Sequence, residues 1–259
     1  MTGSNPKRDP HGGADPYSKL SHAQDQRRRT FPLVIGGTVL VVVVIALVAI
    51  LATRSGDDGG DAGAGTGAAA AEDATQESAP LTVTGEPLVD MPQPAAGSSF
   101  TTAGEDQSIG KVAPTLKGET FDGTPLTIDP ADGTPKVIVF VAHWCPHCQA
   151  EVPRIQEWID QGSMPGGVEI MTVSTSVSPD QPNYPPSKWI ASEGWTPQVL
   201  LDDKDNSAAG AYGLTGFPYF VMTNGKGEVV ARGSGEIPID TFDAAVDALA
   251  KGQDPTAAG

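Results

Sequence analysis

Two cysteines, the only ones among 259 residues, stand in Trp144-Cys145-Pro146-His147-Cys148, directly after the apolar run Val137 to Ala142 and directly before a segment with helical periodicity. This constrains the fold more than any other feature: a buried strand has to end where a helix begins, with a thiol at the junction. At a helix N-terminus, unpaired backbone N–H groups and the positive end of the macrodipole favour thiolate over thiol. The thiolate is the form that attacks disulfides. Spacing and placement together predict a redox dithiol.

Leu33 to Leu51 is an uncharged run, about 28 Å long as a helix and roughly the thickness of a bilayer core. It predicts a single transmembrane helix over 31–53. Arg27, Arg28 and Arg29 precede it and Arg54 alone follows, so the positive-inside rule puts the N-terminus in the cytoplasm and the rest outside. A cleaved secretory signal is the competing reading. It suits the sequence less well, because the run exceeds the usual signal core, the polar segment before it is long, and no A-x-A site closes it. Either way the cysteines are exported to a compartment where disulfides persist.

Charge divides the chain at the same place. Residues 1–54 carry seven Lys/Arg against three Asp/Glu, whereas 55–259 carry nine against twenty-nine. With no basic stripe to neutralise phosphates, the acidic part is not expected to bind nucleic acid or an anionic lipid surface. Solubility of an exported domain accounts for the excess acid.

Residues 1–30, rich in Pro and Gly, read as a disordered cytoplasmic tail. Residues 54–107 lack apolar periodicity and read as a flexible Gly/Ala/Asp-rich linker. That leaves 108–252, a normal single-domain length, and a disordered C-terminus over 253–259. Within the domain the pattern predicts a hairpin turning at Asp122-Gly123, a buried strand over 136–142, a helix over 148–160 and a strand over 168–174. Short helices over 187–193 and 206–212 flank a strand at 199–201, and a hairpin across Asn224-Gly225 leads to an amphipathic helix over 239–250. Alternation followed by a terminal hairpin and helix implies an α/β fold with a mixed sheet covered on both faces. Trp189 and Trp195, with Pro182, Pro185 and Pro186, mark an insertion that either edges a substrate groove or caps a satellite core.

The chain resembles the thioredoxin superfamily and, within it, the membrane-anchored TlpA/ResA-like disulfide oxidoreductases. The resemblance rests on Ala113 to Leu116 with Asp122-Gly123, on Val141 to Cys148 followed by Glu151-Val152-Pro153, and on Tyr212 to Phe220 before Asn224-Gly225. It implies a thioredoxin-like fold, a helix kinked at Pro153, and a cis-proline at Pro218 that leaves the backbone of residue 217 free to pair with an extended substrate. Trp144, Gly216 and Phe217 would line the substrate groove, with Phe217 larger than the family's usual residue and restricting what docks.

In the implied mechanism Cys145 forms a mixed disulfide and Cys148, one turn on and more buried, resolves it. An imidazolium at His147 would further stabilise the Cys145 thiolate. His143 is given no catalytic role. No cofactor is implied. The partners would be exported cysteine-containing proteins and a membrane redox protein that resets the dithiol. Pro-His between the cysteines is the dipeptide of the oxidant DsbA, but the stretch from Asp160 to Phe217 is too short for the helical insert of DsbA-type proteins, and the scaffold matches a group made up mostly of reductases. The buried carboxylate that many relatives carry six residues before the first cysteine is Val139 here, a loss that would either slow proton transfer at Cys148 or shift that task to Glu151. The family's Pro-Glu-Thr is Pro218-Tyr219-Phe220, which weakens a specific cytochrome-maturation role.

Two other chemistries fit the residues less well. His143, Cys145, His147 and Cys148 suit copper(I) or zinc by ligand type, but a CxxC entering a helix does not readily aim both histidines at one ion. A peroxidase of the same fold would want its cysteine in a Thr/Pro-rich turn beside an arginine.

Overall fold

The computed structural model describes residues 76–95 and 98–258. A three-stranded antiparallel sheet holds β1 (Thr82–Thr84), β2 (Thr115–Glu119) and β3 (Pro125–Ile128). Next come β4 (Lys136–Val141), α1 (Pro146–Asp160), β5 (Glu169–Ser174), α2 (Pro186–Ser192), β6 (Gln198–Leu201) and α3 (Ser207–Ala211). β7 (Tyr219–Thr223), β8 (Val229–Ser234), α4 (Ile239–Ala250) and a 3-10 turn (Pro255–Ala258) complete the chain. The main sheet has the order β6-β5-β4-β7-β8, parallel on the β6 side of β4 and antiparallel on the β8 side. This is the expected mixed sheet.

β4 is buried at all six positions, which its unbroken apolar run requires of a strand covered on both faces. Its period-2 alternation sends Val137, Val139 and Val141 to the core shared with Val152, Ile155, Phe242 and Val246 of α1 and α4. Ile138 and Phe140 go to the other core, with Leu116, Ile128, Tyr212 and Tyr219. Trp158 of α1 meets Phe242 of α4 edge to face at 5.3 Å and donates its indole N–H to Asp243 at 2.7 Å, so its polar edge is satisfied where its ring is buried. Trp189 and Trp195 are both buried in the first core, Trp195 donating to Thr172 Oγ1 at 2.9 Å. They are packing residues, not a groove edge.

Two expected boundaries are corrected. Within the predicted linker 54–107, the described residues from 76 onward pack on the domain. β1 pairs with β2, Leu88 and Met91 enter the second core, and Phe100 enters the first. Glu77 caps α2, its carboxylate accepting the Ser187 N–H at 2.9 Å and hydroxyl at 2.6 Å. Asp106 forms a fully buried ion pair with Arg232 of β8. These anchors are single residues at irregular spacing, so no periodicity marked them. The C-terminal segment also departs from expectation, because Pro255 is buried and Gln253 N–H bonds the Ala248 carbonyl at 2.8 Å. The predicted tail 1–30, the transmembrane helix 31–53 and the start of the linker lie outside the described residues. Among the described residues no helix is long and apolar enough to cross a membrane.

Gly213 shows how tightly the strap formed by residues 76–95 and 98–107 fits. At φ +64° it occupies the left-handed region, and a Cβ there would lie 2.1 Å from the Val89 carbonyl oxygen. Only glycine lets the two segments approach that closely.

Candidate active site

The C-terminal end of β4 delivers Cys145 to the N-cap of α1, with extended dihedrals (φ −76°, ψ 120°) and Pro146 at the first helical position. Proline suits that position because its missing N–H would be unpaired there anyway. No side chain caps the helix. Cys145 is 6% exposed and Cys148 fully buried, and neither is in a disulfide. Burial pushes the Cys148 thiol well above the usual range, with the neighbouring Cys145 adding to the rise. Iodoacetamide at pH 8 is therefore expected to modify Cys145 at least about tenfold faster than Cys148 in the reduced folded protein. Peptide mapping checks this, and equal labelling would contradict the burial.

The other half of the site comes from the loop before β7. The Phe217-Pro218 peptide is cis, as the resemblance implied, and the Phe217 carbonyl oxygen lies 4.0 Å from Cys145 Sγ. Trp144 meets the Phe217 ring edge to face at 5.8 Å and donates its indole N–H to the Ser176 carbonyl at 2.8 Å. Trp144, Cys145 and Phe217 thus form one corner. Gly216 stands just behind it, where a Cβ would come 2.7 Å from Ser234 Oγ.

The two histidines are held apart. His143 is buried, its Nδ1 2.8 Å from the Pro182 carbonyl and its Nε2 accepting the Ser178 N–H at 3.1 Å. Both ring nitrogens are committed to the β5–α2 loop, so the residue is a structural bracket for the segment leading into the dithiol. His147 is exposed and turns to Glu236, with Nδ1 to Oε1 at 2.8 Å. Among the described residues no group of three or more His, Cys, Asp or Glu side chains is arranged around a common point. The His/Cys cluster of the sequence is not a cluster in space.

Sequence reasoning missed the turn between β8 and α4. Gly235 N–H bonds the carbonyl of Pro218 at 2.9 Å, and Ile237 N–H bonds Glu151 Oε1 at 3.2 Å. Arg154 of α1 pairs with Glu151 and with Glu236, and Nη2 also donates to the Ile237 carbonyl at 3.2 Å. One turn therefore touches the proline loop and the active-site helix together. No local motif announces it, because its partners on the active-site helix are 80 or more residues away in the chain.

A thiol at a strand-to-helix junction, a buried second thiol one turn below and a cis-proline across from them define a thioredoxin-like thiol-disulfide exchange site. The AhpC/TSA family matches residues 109–232. The thiol:disulfide interchange protein HelX of Rhodobacter capsulatus is 30% identical over 146 residues, covering 55% of this chain and 77% of HelX. The thiol:disulfide interchange protein DsbE of Yersinia pestis is 28% identical over 153 residues, covering 58% of this chain and 76% of DsbE. The thiol-disulfide oxidoreductase ResA of Halalkalibacterium halodurans is 26% identical over 135 residues, covering 52% of this chain and 70% of ResA. The chain belongs to the thiol:disulfide interchange proteins, a family of thiol-disulfide oxidoreductases.

Proposed function

We propose that this oxidoreductase is tethered to the cell membrane by residues 31–53 and exchanges disulfides with exported proteins through the Cys145/Cys148 pair. The observation that carries the exchange chemistry is the pairing of Cys145, under the Phe217 carbonyl at the site corner, with a Cys148 that is sealed from solvent. The Cys145 thiolate attacks a substrate disulfide, forming one mixed S–S bond and releasing one substrate thiolate, which takes up a proton. Cys148 then loses its proton and attacks Cys145 Sγ, releasing the second substrate thiol. The substrate gains two electrons and the chain is left with a Cys145–Cys148 disulfide; the reverse sequence oxidises a substrate dithiol. The Cys148 proton is assigned to Glu151, a buried carboxylate one helical turn further along α1 that also accepts the Ile237 N–H and pairs with Arg154. A membrane redox protein would reset the pair.

The alternative chemistries lack support in the geometry. Both described arginines, Arg154 and Arg232, are paired with carboxylates, which leaves no guanidinium free to serve a peroxidatic cysteine. His143 is bonded through both ring nitrogens to a loop and His147 Nδ1 to Glu236, an arrangement that does not bring both imidazoles to one ion with the thiols.

The test is equilibration of the full chain with glutathione buffers, followed by thiol trapping. A potential near the roughly −270 mV of thioredoxin makes the protein a reductase, and one near the roughly −120 mV of DsbA makes it an oxidant. A pair that never forms the Cys145–Cys148 disulfide sinks the proposal. The tether and topology are tested separately, by labelling Cys145 in intact cells with a membrane-impermeant maleimide. Labelling only after lysis would place the domain in the cytoplasm.

A further inference from the structure

His147 lies between the cysteines, where a positive charge would stabilise the Cys145 thiolate and make the disulfide more oxidising. In this fold it does not stand alone. Its Nδ1 is 2.8 Å from Glu236 Oε1, and the other oxygen of the same carboxylate is 3.5 Å from Arg154 Nη1. Arg154 in turn pairs with the buried Glu151. The charged group that meets the imidazole is thus Glu236 from the β8–α4 turn, linked through its other oxygen to Arg154 and from there to Glu151 of α1.

The backbone fixes where that carboxylate stands. Gly235, at φ +84°, adopts a conformation that favours glycine, and its N–H is bonded to Pro218 O at 2.9 Å. On the other side, Ile237 is held through its N–H to Glu151 and its carbonyl to Arg154. Glu236 is therefore clamped between the proline loop and the active-site helix, with its side chain turned to the one histidine of the dithiol.

We propose that Glu236 is a positioning residue that holds His147 and offsets its charge, so that the Pro-His dipeptide does not make this dithiol a strong oxidant. The inference rests on the exchange function proposed above and assigns the device that sets its poise. With the carboxylate in place the His147–Glu236 pair carries no net positive charge towards Cys145. Without it, any proton on His147 acts on the thiolate unopposed.

The experiment measures the equilibrium in which the chain disulfide and two glutathione thiols convert to the chain dithiol and glutathione disulfide, using full chains at pH 7. Glu236→Gln keeps the size and a hydrogen-bond acceptor while removing the charge. It is expected to shift the constant towards the dithiol threefold to tenfold, which is about 15 to 30 mV. Glu236→Asp should stay within about twofold of wild type, and adding His147→Gln to Glu236→Gln should return the constant to the wild-type value. An unchanged constant in Glu236→Gln overturns the proposal. So does a double variant that keeps the full gain, because the carboxylate would then act on the thiolate without His147. A merely structural role would lower the melting temperature and leave the constant in place. A wild-type chain that forms no Cys145–Cys148 disulfide at all refutes the exchange function itself, a result distinct from a measurable constant that ignores Glu236.

Discussion

Cys148→Ser is expected to stall exchange at the mixed disulfide, so that the chain accumulates covalently joined to its substrates, whereas Cys145→Ser captures nothing and lowers the exchange rate at least about 10³-fold. The asymmetry follows from burial. Cys145 lies at the helix N-cap within 4.0 Å of the Phe217 carbonyl, where a substrate sulfur can reach it, and Cys148 is sealed beneath. A serine hydroxyl at 148 cannot displace the substrate from Cys145 Sγ, so the intermediate persists. Non-reducing gels and mass spectrometry of the trapped adducts read the result. Adducts on Cys148 in a Cys145→Ser chain would reverse the assignment of attacking and resolving thiols.

The second large effect falls far from the dithiol. Asp106→Ala is expected to destabilise the domain by about 3–5 kcal/mol, because it leaves the Arg232 guanidinium charged, buried and without its carboxylate. Both side chains of this pair are fully buried. Asp106 also accepts hydrogen bonds from the Thr101 hydroxyl at 2.9 Å and the Ser108 N–H at 2.9 Å. Arg232 Nη1 donates to the Val89 carbonyl at 2.8 Å and the Tyr219 hydroxyl at 3.0 Å, so the pair ties the strap to β7 and β8. A domain of this size would lose about 10 °C in its thermal midpoint, measured by circular dichroism. A loss under about 1 kcal/mol would mean that water reaches the guanidinium once the carboxylate is gone.

The pair also sets an acid limit. Burial alone would raise the Asp106 carboxyl, but the hydrogen bonds and charge of Arg232, with the Ser108 N–H and Thr101 hydroxyl, outweigh it and hold the group below its usual value of 3.8. A lowered carboxyl stabilises the fold fully above the unfolded value and loses that contribution as pH falls through the folded one. The stability gap between wild type and Asp106→Ala should therefore narrow below about pH 4.

Much of the dithiol half of the site was legible because it is written locally. Val137 to Ala142, then Cys145 and Cys148, then the apolar spacing of Val152, Ile155 and Trp158 give a strand, a junction and a helix within one stretch of chain. Phe217-Pro218 was legible through the resemblance, and its carbonyl does face Cys145. His147 is legible as a neighbour of the Cys145 thiolate, but its partner is not. Glu236 lies 89 residues further along the chain, and an isolated glutamate beside a glycine carries no periodic signal.

The sequence by itself determined the alternation of strands and helices, the amphipathic closing helix and the chemistry of the two thiols, because each depends on residues within one or two turns of one another. Only the tertiary structure decided that residues 76–107 belong to the domain, since Leu88, Met91, Phe100 and Asp106 are lone anchors whose partners are supplied by distant strands. It also decided that His143 braces a loop while His147 answers to Glu236. Those assignments depend on which backbone groups and charges the fold brings within about 3 Å, and hydrogen bonds and ion pairs of that kind are fixed by geometry rather than by spacing along the chain.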